Sequence, residues 1–273
     1  METSGADAQN LHKGESEEIM NTTQAIYFSP TGSTETVVKT IANEFGSYKE
    51  IDLSKRDLPP ESYAFTKDDV CIIGVPSYGG RVPAPAVDRL MHFEGNGAKA
   101  VLVTVYGNRA YEDTLKELED VLCSRNFICT AAIAAVAEHS IMHQFAAGRP
   151  DAKDQAQLVD FADEIIDKLE KDTEITNIKV PGNVPYREYN GVPLKPKAGK
   201  ACKDCGLCAR KCPVGAIPVD NPEKTDPDVC ISCMRCVEIC PEKARTVSKL
   251  LLAVASKKIA KVCSKRKENE LFL

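Results

Sequence analysis

The chain has no tryptophan, the residue that often anchors an interfacial helix at a membrane. It has no run near the ~18 consecutive apolar residues that mark a membrane-spanning helix. It also has no cationic excess: 35 Lys and Arg face 40 Asp and Glu, a net charge of −5. General nucleic-acid binding needs a basic footprint, so neither a nucleic-acid nor a membrane partner is expected. The first 22 residues are polar and acidic (Glu2, Asp7, Glu15, Glu17, Glu18), without the basic start and apolar stretch of a secretory signal. Residues 1–22 read as a disordered extension, and the expected location is cytoplasmic.

What the chain has in abundance is cysteine, and its distribution speaks against a disulfide scaffold. Of 12 cysteines, eight fall between residues 202 and 240. Thiols crowded into C-x-x-C runs without a signal peptide point to metal binding in a reducing compartment. The other four, Cys71, Cys123, Cys129 and Cys263, are scattered. Cys71 and Cys129 lie within strand-like runs, where a free cysteine behaves as a small hydrophobe.

Two signatures divide the rest. Ala25–Phe28, Val70–Val75, Lys99–Val105 and Ile128–Val136 read as strands, with a weaker one at Lys49–Leu53. The near-continuous apolar runs among them suit a parallel sheet covered on both faces. Ser33–Phe45, Ala84–His92, Tyr111–Leu122 and Ala152–Lys171 carry helical periodicity between them. Ser54–Asp69 holds little or no helix. Five interleaved strands make a doubly wound α/β domain over 23–173. Residues 174–200 lose all periodicity and are punctuated by Pro181, Pro185, Pro193 and Pro196; they read as a linker. The tail, 249–273, has Leu251, Leu252, Val254, Ile259 and Val262 on one helical side, with seven Lys or Arg against two Glu. It reads as a basic amphipathic helix docked on the chain's own domains.

Residues 201–248 contain an internal repeat of 28 residues, in which Cys202, Cys205, Cys208 and Cys212 recur as Cys230, Cys233, Cys236 and Cys240. Each run is C-x-x-C-x-x-C-x-x-x-C-P, closed by Pro213 and Pro241. Zinc ribbons use separated C-x-x-C pairs, so structural zinc fits this spacing poorly. The runs resemble those of bacterial-type two-cluster ferredoxins. In that family three cysteines of a run wrap one [4Fe–4S] cluster and the fourth ligates the other. The resemblance implies crossed ligation, with Cys202, Cys205, Cys208 and Cys240 on one cluster and Cys230, Cys233, Cys236 and Cys212 on the second. It also implies a small α+β ferredoxin-like domain.

The first strand runs directly into Ser29-Pro30-Thr31-Gly32-Ser33-Thr34 and then a helix. Hydroxyls and unpaired backbone amides at a helix N-terminus favour an anion. No lysine follows the glycine, and no G-x-G-x-x-G is present, so neither a P-loop nor a dinucleotide fingerprint applies. The loop resembles the flavodoxin phosphate loop. That resemblance implies FMN at the carboxyl ends of the strands, between Pro76-Ser77-Tyr78-Gly79-Gly80 after the third strand and Tyr106-Gly107-Asn108-Arg109 after the fourth. Arg81 and Arg109 are each open to a flavin contact or to solvation. His139 and His143, four residues apart, lack a third ligand and read as loop or solvated histidines.

Taken whole, the chain resembles the flavodoxin–ferredoxin fusions known as EFR1-family ferredoxins. The resemblance implies an electron carrier holding FMN and two [4Fe–4S] clusters and meeting redox partner proteins. The alternative is a flavin-dependent reductase acting on a small molecule. No second nucleotide fingerprint supports NAD(P)H binding, and no catalytic constellation stands out.

Overall fold

The computed structural model describes residues 22–58, 63–171 and 176–273. Residues 1–21 of the expected 1–22 extension therefore lie outside the described residues. Strands and helices alternate through the first half: β1 (Thr23–Tyr27), α1 (Ser33–Glu44), β2 (Tyr48–Asp52), the two-residue β3 (Tyr63–Ala64), β4 (Val70–Pro76), α2 (Ala84–Leu90), the short β5 (Phe93–Glu94), β6 (Lys99–Tyr106), α3 (Thr114–Ser124), β7 (Ile128–Val136) and α4 (Ala152–Lys171). The second half holds β8 (Lys197–Ala198), α5 (Leu207–Arg210), α6 (Arg235–Glu238), β9 (Arg245–Thr246), α7 (Lys249–Cys263) and β10 (Glu270–Phe272).

The main sheet runs β10-β7-β6-β4-β1-β2. Its five parallel members, counted in chain order without the two-residue strands, lie 2-1-3-4-5, the flavodoxin-like doubly wound order. Both faces are covered, as the apolar runs require. α2 and α3 close one core with Ile26, Ile73, Leu102 and Leu118, and α1 and α4 close the other with Ile41, Ile72, Val103 and Ile165. Gly74 in β4 lets α1 approach, because a Cβ there would lie 2.2 Å from Val38 Cγ2. Cys71 and Cys129 are fully buried in these cores, as small hydrophobes.

Two expectations need correction. The sheet has six strands, because β10 pairs antiparallel with the β7 edge at Leu271↔Ile133. The tail is accordingly not one helix: α7 ends at Cys263 and the remaining chain returns to the first domain. The last residues, Glu270-Leu271-Phe272, follow a basic segment whose charges find partners on the domain they return to. Arg266 pairs with Asp151 at 2.7 Å and Asp154 at 2.9 Å, and Asn269 accepts the Val136 N–H at 2.8 Å. A free edge strand is a liability in water, and β10 covers this one.

The segment expected as a linker packs on the first domain. Asp113, buried at the start of α3, accepts the backbone N–H groups of Asn183 and Arg187 at 2.8 and 2.7 Å. Two arginines then tie the cysteine module down. Arg89 of α2 donates to the Pro213 carbonyl at 2.6 Å, and Arg235 of α6 reaches the Ser29 carbonyl at 3.4 Å.

Candidate functional site

A cavity of about 480 Å³ opens at the carboxyl ends of β1, β4 and β6, within the range of small-molecule sites. Of the residues expected at a cofactor, Ser29, Thr31, Ser33, Thr34, Pro76, Ser77, Tyr78, Gly79, Tyr106, Gly107 and Arg109 line it. Among the described residues the hydroxyls of Thr31, Ser33 and Thr34 have no protein partner, whereas Ser29 Oγ accepts the Glu35 N–H at 2.9 Å. Gly32 enters α1 at φ 91°, a left-handed turn that favours glycine. The loop thus presents hydroxyl donors and the first amides of a 12-residue helix to one space, with Arg235 on the Ser29 carbonyl and Lys258 in the same cavity wall. That arrangement fits a phosphate monoester.

Three expected residues do other work. Gly80 lies under Glu112 and Arg187, whose atoms would be 2.0 and 2.8 Å from a Cβ. Gly32 shapes the loop without lining the space. The Asn108 side chain is spent on the tail: it donates to the Cys263 and Lys265 carbonyls at 2.7 and 2.8 Å and accepts the Lys267 N–H at 3.2 Å. Arg81 is also committed elsewhere, forking onto Glu117 at 2.8 and 2.7 Å and stacking over Tyr186. Arg109 lines the cavity and pairs with Glu112.

The remaining walls come from segments whose periodicity carried no site signal. Tyr189 and Leu194 come from the expected linker, Ile231 and Ser232 from the cysteine module, and Leu251 and Ile259 from α7. Tyr189 lies flat against Gly79, where a Cβ would meet its ring at 2.3 Å. His139 belongs here too and is not solvated. It packs on Gly107, where a Cβ would lie 2.7 Å from its own. Its Nδ1 accepts the Ile141 and Met142 N–H groups at 3.2 and 3.4 Å, so the ring proton sits on Nε2. Burial lowers its pKa to about 4, and the ring stays neutral. His143 instead pairs with Glu138 at 2.6 Å. The one signal available in advance was the position of His139, just after the strand that ends beside the cavity.

The eight cysteines gather around two small hollows. Cys202, Cys205, Cys208 and Cys240 line the outer one. Cys212, Cys230, Cys233 and Cys236 line the inner one. The fourth cysteine of each run has crossed to the other run's hollow. All eight are free thiols, and the rest of each wall is largely apolar, including Leu207 and Pro241 outside and Val214, Ile217 and Met234 inside. Burial pushes the Cys233 thiol up to about 12 and Cys236 to about 11. Two thiols this costly to ionise by themselves suit a metal centre whose own charge holds them as thiolates. Soft sulfur donors in fours fit an iron–sulfur cubane.

Inner hollow and cavity adjoin. Ile231, between Cys230 and the Cys233 side of the run, lines both. Tyr78 stands at the same junction; burial raises its hydroxyl pKa, and Cys233 and Tyr189 add to the shift. Among the described residues no helix is long and apolar enough to cross a membrane.

No curated protein matches the chain. Solved structures similar to it include flavodoxin 2 from Bacillus cereus, at 15% identity and a TM-score of 0.40 over 54% of this chain and 99% of that one. A short-chain flavodoxin associated with a non-canonical PDU bacterial microcompartment is 18% identical, with a TM-score of 0.40 over 54% of this chain and 98% of the other. The rubredoxin oxygen:oxidoreductase of Desulfovibrio gigas is 16% identical, with a TM-score of 0.38 over 55% of this chain; the chain spans only 36% of its length. Residues 201–244 match the family model of the 4Fe-4S dicluster domain, so a 4Fe-4S dicluster domain follows the doubly wound α/β domain in one chain.

Proposed function

We propose that the chain is an electron-transfer flavo-iron-sulfur protein that relays electrons between FMN in the cavity and two [4Fe–4S] clusters in the hollows. The clusters would be held by Cys202, Cys205, Cys208 and Cys240 outside, and by Cys230, Cys233, Cys236 and Cys212 inside. When bound, the clusters exchange single electrons and the flavin one or two. The observation that carries this reading is Ile231, one side chain forming the wall between the inner hollow and the cavity.

The chain's own residues divide the work. Thr31, Ser33, Thr34 and the first amides of α1 hold the phosphate, and Tyr78, Gly79, Tyr106 and Gly107 flank the ring. Tyr189, Leu194, Leu251 and Ile259 add an apolar wall to the cavity. The cysteine hollow that adjoins the cavity through Ile231 favours the relay over the flavin-dependent reductase. Of the inner cysteines Cys212 and Cys233 are buried, whereas Cys205 of the outer set is exposed. A redox partner protein would therefore meet the outer hollow, and electrons would pass outer to inner to flavin, or the reverse.

The test is anaerobic reconstitution with quantitation of iron, sulfide and flavin. About one FMN and eight iron per chain are expected from two cubanes. Iron without flavin overturns the relay, and about four iron overturns the second cluster.

A further inference from the structure

The two halves of the cysteine repeat differ at one buried position. The 28-residue offset that maps Cys212 onto Cys240 also maps Ile217 onto Arg245. Both side chains are 2% exposed. Ile217 lines the inner hollow and Arg245 lines the outer one. An apolar wall in one half is thus a guanidinium in the other, and this guanidinium is the largest side chain in the fully buried set.

Its surroundings show why it is tolerated and what it faces. The Arg245 fork donates to the Pro222 carbonyl at 2.6 Å and the Pro196 carbonyl at 3.3 Å, and it also bonds Thr225 Oγ1. None of these partners is a carboxylate, and no ion pair neutralises Arg245 among the described residues. Its charge is therefore not cancelled locally. One Nη donates toward Cys208 Sγ of the outer set at 3.7 Å. Nε is buried with no partner. Leaving a buried donor unmade costs ~1–3 kcal/mol, and burying an unpaired charge costs more. A residue placed only for packing would be met by Ile, as its repeat mate is.

From this geometry we propose that Arg245 sets the potential of the outer cluster: a permanent buried cation in the wall of the outer cysteine set, with one Nη toward Cys208, raises its reduction potential. The proposal rests on the two-cluster reading above. Adding an electron makes a cubane with four thiolates more negative, so a fixed positive charge stabilises the reduced form. Hydrogen bonds to cluster sulfur act in the same direction. Arginine cannot deprotonate in a protein, so the effect persists at all working pH values. Being buried, it is screened little by salt.

The test is a redox titration of the reconstituted full-length protein, followed by EPR, for wild type, Arg245→Met, Arg245→Gln and Arg245→Lys. Eight iron in the wild type secures the underlying reading, and four or none would defeat that reading whatever the potentials. In Arg245→Met the reduced-to-oxidised ratio of the outer cluster at a given potential should fall at least tenfold, a drop of about 59 mV for a one-electron couple. The inner cluster should fall by less. Arg245→Lys keeps the charge but not the fork, and should fall between the two. The drop should persist in ~1 M salt, where exposed charges are screened within ~3 Å. Unchanged potentials in Arg245→Met with all iron retained overturn the proposal. If Arg245→Met fails to hold its clusters, potentials in the equally neutral but hydrogen-bonding Arg245→Gln identical to wild type overturn it equally.

Discussion

The two halves of the cysteine module are spelled alike and sit in unlike surroundings. The outer set has Cys205 in solvent and Arg245 in its wall. The inner set has Ile217 in that place, has Cys212 and Cys233 buried, and shares Ile231 with the cavity. Identical ligand spacing therefore produces one site suited to meeting a partner and one suited to meeting a flavin in the same chain. Potential and access at such sites depend on charge, hydrogen bonding and exposure around the sulfur, more than on the ligands themselves.

The largest expected effect comes from deleting one ligand on each side. Cys233→Ala and Cys205→Ala should each lose about four iron per chain. Only Cys233→Ala should abolish electron exchange between the remaining cluster and the flavin, followed by rapid-mixing absorbance. Equal loss in Cys205→Ala would erase the distinction between inner and outer. Next comes the flavin side. Thr31→Ala combined with Thr34→Ala should weaken FMN binding by about tenfold per hydroxyl, ~1.4 kcal/mol each, with iron content intact. Unchanged retention in an equilibrium dialysis would place the phosphate elsewhere.

A smaller effect is expected where the tail is latched. Asn108→Ala removes three hydrogen bonds to residues 263–267 and should cost about 2 kcal/mol, lowering the melting temperature by roughly 4–8 °C. Because α7 lines the cavity, the FMN dissociation rate should rise as well. A melting shift with no change in that rate would separate the latch from the wall. The smallest effect concerns pH. Burial depresses the His139 pKa from 6.5 to about 4, so its neutral form persists as pH falls from 8 to 5 and no proton is taken up in that window. FMN affinity should therefore show no step from this group. A step near pH 6–7 that disappears in His139→Gln would mean that His139 charges.

Much of this was legible in the chain. Periods of two kinds placed the sheet, and the resemblance of the hydroxyl-rich loop after β1 to a flavodoxin phosphate loop pointed to eleven of the cavity residues. Local patterns suffice there because each residue's role is played within its own strand-end loop. Asn108 shows where such reading stops. Its loop position is that of a flavin residue, and its amide is claimed by a tail more than 150 residues away. His139 shows the reverse, a histidine with no pattern around it that packing on Gly107 turns inward. The linker and tail carried too many prolines or too many lysines to announce a wall. Their apolar residues, Leu194 and Ile259, take on meaning only once folded over the cavity.

By itself, then, the sequence determined the chemistry of the donors: eight thiols in two runs with the offset that lets them cross, and a loop of hydroxyls at a helix N-terminus. Ligand type and spacing are local, and a cubane or a phosphate responds to them directly. Tertiary structure decided the relations among those sites. It set Ile231 between inner hollow and cavity, brought α7 into the cavity wall and closed the β7 edge with β10. It also buried Arg245 against the outer cysteine set. Proximity, burial and the field of a buried charge are properties of the packed chain, and they exist only after residues distant in sequence share one interior.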